Sequence, residues 1–274
     1  MFRTLVSALT AIVTLALSPA TATAQSNIVV LDDVAKVDIL PGWRTKDGTQ
    51  MAAIRVRLAP GWKTYWRAPG DGGIPPRFSW EGSKNLKAVQ FHWPTPEVFT
   101  INGVRSIGYH DELILPMELT PASASGEPIH ARASVELGVC EEICLPMEVN
   151  LSADIFPGDA EDPKIRASLS NQPVSARAIG IEGATCTVEQ ISDGLRITAR
   201  VEMPDIGSEI AVIELPDKTI WISQTDMGRQ GAVMTATADM VPANAAPFLL
   251  NRSELRITVL GDEKAVEILG CPAG

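Results

Sequence analysis

The stretch IHARASVELGVCEEICLPMEVNLSADI, residues 129–155, reads as two β-strands joined by a short loop. Apolar and polar residues alternate from Ile129 to Leu137 and again from Glu148 to Ile155, the period of a strand with one buried face. Leu137 to Pro146 breaks the alternation and puts Cys140 and Cys144 at a hairpin tip or in a short loop between paired strands. Fully extended, the chain from Cys140 to Cys144 would span roughly 13 Å, about twice what a disulfide tolerates. A turn at Glu141-Glu142 is needed for the two to bond.

Outward from this stretch the same pattern recurs. Short apolar segments bounded by Gly, Pro, Asn and Asp fill the chain, long 3.6-period patterns are missing, and an all-β sandwich or barrel follows. Strands are expected at Met51–Leu58, Leu86–Phe91 and Leu113–Leu119 in the first half. In the second half they are expected at Cys186–Ile191, Leu195–Val201, Ile210–Glu214, Thr219–Ser223, Ala232–Ala238, Leu255–Leu260 and Ala265–Leu269, with a turn at Ser192-Asp193-Gly194. Turn formers and acids at Pro157 to Pro163 mark a boundary. The expected division is a domain over 26–156, a linker over 157–178 holding at most a short helix, and a second domain over 179–274.

Residues 1–24 read as an export signal: Arg3, an apolar run from Leu5 to Leu17, then Ala22-Thr23-Ala24 as the cleavage pattern. The mature chain would start at Gln25, and no later stretch is long and apolar enough for a membrane helix. Formal charge is -10, becoming -11 without Arg3, and no Lys/Arg run offers a track for phosphates, so nucleic acid is not an expected partner. Export also changes the meaning of the four cysteines, because disulfides persist outside the cytosol. Of three possible pairings, the uneven spacing favours Cys140 with Cys144 and Cys186 with Cys271.

These two rings differ physically. Closing about 85 residues between Cys186 and Cys271 is worth on the order of 4 kcal/mol in the loop-entropy description, whereas the ring at Cys140 is too small to gain much. The first pair reads as reactive and the second as structural. Glu141 and Glu142 raise the thiol pKa values of their neighbours, which suits a disulfide attacked by an incoming thiolate better than a thiol that attacks. Spacing alone is equally consistent with an inert hairpin disulfide.

Several further runs occur in fixed succession: Pro60-Gly61-Trp62-Lys63-Thr64-Tyr65-Trp66, Pro69 to Pro76, Gly108-Tyr109 with Leu115-Pro116, then Gly138-Val139-Cys140 and Ile143-Cys144-Leu145-Pro146. Over residues 28 to 156 the chain resembles the periplasmic N-terminal part of the DsbD-type thiol:disulfide interchange proteins, and within them the branch of the copper-sensitivity suppressor ScsB. The resemblance implies two immunoglobulin-like β-sandwich domains in tandem, the second as an extra module. It implies that Cys140 and Cys144 exchange electrons, making the chain of the protein-disulfide reductase type. A membrane-embedded thiol reductase or a thioredoxin-like protein would be the donor, and a periplasmic disulfide isomerase-like protein the acceptor. It also implies an aromatic cap in Pro96 to Gly103, with Phe99 as the candidate. The family's membrane and thioredoxin-like domains have no counterpart here, so the chain is expected to partner a separately encoded reductase or to have changed its task.

Other chemistries are weaker. Trp62, Tyr65, Trp66, Trp80 and Trp93 are core or edge packing before they are a ligand groove. Gly70 to Gly73 lacks the spacing and Lys of a phosphate loop and reads as a bend. His92, His110 and His130 share no zinc-ligand spacing, while Cys140, Cys144 and Met147 offer soft ligands for Cu(I) in the reduced state. No cofactor is expected, and no nucleophile–base motif of a hydrolase is present. The rival to electron traffic is a non-catalytic Ig-like binding module, copper-handling in one version, with both cysteine pairs structural.

Overall fold

The computed structural model describes residues 31–274 apart from 102, 124, 125, 159, 244 and 245. The expected signal segment and the start at Gln25 lie outside the described residues. After a four-residue helix α1 (Leu31–Val34) come β1 (Ala35–Arg44), β2 (Gln50–Leu58), β3 (Lys63–Tyr65), β4 (Arg77–Ser79), β5 (Leu86–Phe91), β6 (Glu97–Ile101), β7 (Val104–His110), β8 (Glu112–Pro121), β9 (Ile129–Cys140) and β10 (Cys144–Ile155). They form two sheets, ordered β1-β2-β8-β5 and β10-β9-β3-β7-β6, with β4 also on β9.

The period-two alternation explains the packing. Ala52, Ile54 and Val56 of β2 and Leu113, Leu115, Met117 and Leu119 of β8 face Ala131, Ala133, Val135, Leu137 and Val139 of β9 across one buried core. Trp62, Trp80 and Trp93 pack against this core and Trp66 is inside it, so these aromatics serve packing. β2 lacks clean alternation because both its faces are covered. Its outer residues Met51 and Ala53 lie under Ile165 of α2 (Pro163–Ser170).

That helix falls in the segment expected as a linker. Asp162 caps it, its carboxylate accepting from the Lys164 and Ile165 amides at 2.8 and 3.0 Å, and Pro163 opens the first turn. The Ser168 hydroxyl donates to the Ile114 carbonyl at 2.7 Å, which ties the helix to β8.

The second sandwich contains β11 (Val174–Ser175), β12 (Ala184–Gln190), β13 (Leu195–Glu202), β14 (Ile210–Glu214), β15 (Ile220–Ile222), β16 (Asp226–Gln230), β17 (Val233–Pro242), β18 (Arg256–Leu260) and β19 (Ala265–Leu269). Its sheets run β11-β19-β18-β14 and β12-β13-β17-β15, with β16 also on β17. Ile191 and Gly194 close the β12–β13 turn through an amide-to-carbonyl bond of 3.1 Å, as Ser192-Asp193-Gly194 predicts. A second core joins Ile197, Ala199, Met234 and Ala236 to Ile257, Val259, Val266 and Ile268. The fold is all-β, two immunoglobulin-like sandwiches in tandem.

The sandwiches meet at Arg67, just past β3. Its guanidinium donates to Glu214 twice at 3.1 Å, to Glu267 at 3.1 Å and to Thr258 at 3.4 Å, and lies 4.1 Å over the Trp66 ring. Val212, Leu260 and Ala265 of the second sandwich join the first core. The Gln224 amide donates to Asp71 at 2.7 Å. Between the two lies a cleft of about 580 Å³, walled by the Pro69–Gly73 loop on one side and by Ile210–Thr225 on the other.

Candidate functional site

β9 and β10 pair antiparallel in continuous register from Ile129 with Ile155 to Cys140 with Cys144, so the cysteines close a hairpin whose loop is Glu141-Glu142-Ile143. They stand directly opposite, Cα to Cα 4.1 Å, and are disulfide-bonded. The turn is where the spacing required it. The pair is asymmetric, however: Cys140 is buried at 5 % exposure, whereas Cys144, both glutamates and Ile143 are exposed. Only one sulfur of the expected exposed disulfide faces solvent freely.

β3 lies on the other side of β9, with Lys63 opposite Cys140 and Thr64 opposite Val139, and on its far edge Lys63 stands opposite His110 of β7. Strand alternation sends Trp62, Thr64 and Trp66 inward and leaves Lys63 and Tyr65 on the outer face with both cysteines. Cys144, Cys140, Lys63 and His110 therefore form one row across four strands.

Tyr65, though on the outer face, is 2 % exposed because the loop from Pro69 to Pro76 folds over it. Glycines make room for its ring. A Cβ on Gly138 would sit 2.9 Å from the Tyr65 ring and 2.7 Å from Ile74, and a Cβ on Gly73 would sit 2.8 Å from the other ring edge. The bend begins at Gly70, whose φ of 75° favours glycine, so the expected bend with unusual backbone angles is present. The Tyr65 hydroxyl lies 3.0 Å from Cys144 Sγ and 3.3 Å from the Gly72 carbonyl. A disulfide sulfur carries no proton, so the hydroxyl is the donor to either. Burial raises the phenol's pKa, which keeps that proton in place through the neutral range.

Phe99 sits in β6, so most of the expected cap loop, Pro96 to Gly103, is in fact a β-strand paired with β7; Asn102 of that stretch lies outside the described residues. The Phe99 ring is buried edge-on against His110 at 4.4 Å, with Lys63 Nζ 5.3 Å from its centroid. Phe99 thus covers the Lys63–His110 end of the row. His110 Nδ1 is also 3.0 Å from Glu97.

Met147 does not join the cysteines. Three residues from Cys144 along a strand, it takes the opposite face and is buried in the first core, so the Cu(I) set loses its third ligand. Among the described residues no group of three or more His, Cys, Asp or Glu side chains is placed to hold a metal. His92 and His130 lie elsewhere, near Glu118 (3.4 Å) and Asp154 (2.6 Å).

Cys186 and Cys271 are disulfide-bonded, Cα to Cα 5.5 Å, with both residues buried. They tie β12 to the segment after β19, joining the two sheets of the second sandwich, and the Cys186 amide also donates to Pro272 O at 2.8 Å.

Sequence reasoning gave Lys63 and Gly72 no role at the site and weighed Tyr65 only as packing or a groove aromatic. The usable signal was the W-K-T-Y-W alternation, with three residues turned inward and Lys63 and Tyr65 outward; which cysteine they would meet depends on the β3–β9 register.

A search of curated proteins gave no match. The crystal structure of the N-terminal periplasmic domain of ScsB from Proteus mirabilis is similar in fold, with a TM-score of 0.62 at 22% identity over 88% of this chain and 92% of that one. No helix among the described residues is long and apolar enough to cross a membrane. Residues 29–154 match the family described as thiol:disulfide interchange protein DsbD, N-terminal, and this region of the chain is similar to that family.

Proposed function

We propose that this protein relays electrons in the periplasm through Cys140 and Cys144, taking them from a membrane-embedded thiol reductase or a thioredoxin-like protein. The acceptor is a disulfide isomerase-like protein. The observation that carries the reading is the asymmetry of the pair: Cys144 exposed beside the Tyr65 hydroxyl, Cys140 buried behind it. A buried staple needs no such gradation, whereas exchange requires one sulfur open to a partner and one held back to resolve the mixed disulfide.

In this scheme a donor thiolate attacks Cys144 Sγ, the disulfide breaks, and Cys140 leaves with the electron pair. A second donor thiolate then releases Cys144. Phe99 is assigned the cap over the inner end of the site, and the second sandwich, which begins with β11 at Val174, braces the Pro69–Pro76 loop through Arg67 and Asp71.

Replacing the buried cysteine tests the assignment. Cys140→Ala is expected to accumulate a mixed disulfide through Cys144 in periplasmic extract, visible on non-reducing gels and reversed by reductant. Cys144→Ala is expected to trap far less, since Cys140 is covered. If neither variant traps a partner, the pair is a staple and the chain a binding module.

Tyr65→Phe keeps the packed ring and removes the donor. A hydrogen bond to a charged group is worth about 1.5–3 kcal/mol, so exchange through a Cys144 thiolate should slow by roughly tenfold or more. Stopped-flow reaction of the reduced protein with a small disulfide checks this, and an unchanged rate would remove Tyr65 from the chemistry.

A further inference from the structure

Lys63 is buried at 7 % exposure, and among the described residues no carboxylate lies within ion-pair distance of its ammonium. Its long apolar stem is covered by neighbouring groups while the ammonium has no acidic partner among these residues. Phe99 closes one side of it, with Nζ 5.3 Å from the ring centroid. In the β3–β9 register its neighbour is Cys140, where directly opposed Cβ atoms lie about 4.5–5.5 Å apart. The disulfide offers this cation no counter-charge. A Cys140 thiolate does.

We infer that Lys63 holds Cys140 as the leaving thiolate when the disulfide is attacked at Cys144, and so makes the pair easier to reduce. The inference rests on the exchange reading above and assigns within it a role to a residue outside the cysteine motif. Electrons balance without further cofactors: the donor thiolate's sulfur bonds to Cys144 Sγ, the Cys140–Cys144 bond breaks, and its electron pair stays on Cys140, opposite Lys63 of the neighbouring strand. A leaving thiolate of lower basicity departs faster, and a stabilised dithiol raises the reduction potential.

The other groups facing this position can be placed. His110 follows Lys63 in the row and is engaged with Glu97 at 3.0 Å, and Tyr65 contributes a neutral hydroxyl directed at Cys144 and Gly72. Glu141 and Glu142 oppose the effect from the hairpin tip, but both are exposed, and the Glu141 carboxylate lies over Gly61, Oε1 3.1 Å from where a Cβ on that glycine would stand. Solvation of these two anions weakens their action on Cys140.

The test compares wild type with Lys63→Met and Lys63→Arg. In glutathione redox buffers, Lys63→Met is expected to shift the disulfide–dithiol equilibrium roughly tenfold toward the disulfide. Attack by glutathione thiolate should slow roughly threefold to tenfold. Lys63→Arg, which keeps the charge, should restore most of both. A purely structural role would lower stability without moving the equilibrium and without rescue by arginine.

A second measurement leaves Lys63 in place. With Cys144→Ser, the lone Cys140 thiol should ionise at least about one unit below the ordinary value near 8.5, followed by thiolate absorbance in the ultraviolet. An ordinary or raised value there, or a folded Lys63→Met that matches wild type with glutathione, overturns the inference while leaving the exchange reading intact. If the wild-type pair fails to exchange with glutathione at all, the exchange reading fails first and the role of Lys63 falls with it.

Discussion

Arg67→Ala is expected to destabilise the protein by about 3–5 kcal/mol, the usual cost of removing one partner from a buried ion pair. Arg67 and Glu214 retain side-chain exposures of only 13% and 7%, and the same guanidinium also holds Glu267 and Thr258. Truncation strands the Glu214 carboxylate in the interface and uncovers the Trp66 ring. Arg256 remains 3.5 Å from Glu267, so Glu214 is the residue left most exposed to the loss. Guanidinium unfolding followed by tryptophan fluorescence measures the change. Arg67→Lys should recover only part of it, because a lysine cannot make the paired guanidinium bonds to Glu214 while stacking on Trp66. A double replacement, Arg67→Met with Glu214→Leu, should be far milder than Arg67→Ala, since an apolar pair leaves no buried charge. A loss below about 1 kcal/mol for Arg67→Ala would mean that the clamp is effectively solvated and contributes like a surface pair.

Removing the second disulfide should cost a similar amount. Cys186 and Cys271 are separated by 85 residues, for which the loop-entropy relation gives about 4.6 kcal/mol; the separation of 4 between Cys140 and Cys144 gives only about 2 kcal/mol. Burial adds to the contrast, because serine at either end would bring a hydroxyl into a site with 1% or 0% exposure. The double variant Cys186→Ala/Cys271→Ala is therefore expected to lower the unfolding free energy by several kcal/mol. Cys140→Ala/Cys144→Ala should cost less than half as much. Graded reductant under native conditions supplies the complementary result: the Cys140–Cys144 bond should open first, through its exposed sulfur. If the two pairs reduce together, or if the small ring proves the more stabilising one, the division into a reactive and a structural disulfide is wrong.

Much of the fold was legible because strand alternation is a local property. Leu86–Phe91, Ile210–Glu214 and Ala265–Leu269 are strands over the expected bounds, and the residues flanking the cysteines form the expected hairpin. Several of the strands that were passed over have a physical reason. β1 contains Pro41-Gly42 and shifts register there, β3 and β4 are three residues long, and β6 occupies most of the stretch read as a cap loop. α2 was anticipated only as a short helix at most, and its docking on β2 and β8 depends on Met51 and Ala53, whose outward placement shows only when β2 is seen to be covered on both sides.

The sequence by itself determined the all-β character, the two cysteine pairings and the turn between Cys140 and Cys144, because each follows from spacing over a few residues or from the one economical pairing of four cysteines. Tertiary structure decided which sulfur is open, that Met147 belongs to the core, and that Lys63, Tyr65 and Phe99 gather at the site. Those depend on which strands become neighbours and in what register, and a shift of one residue in the β3–β9 pairing would carry Lys63 and Tyr65 to the opposite face.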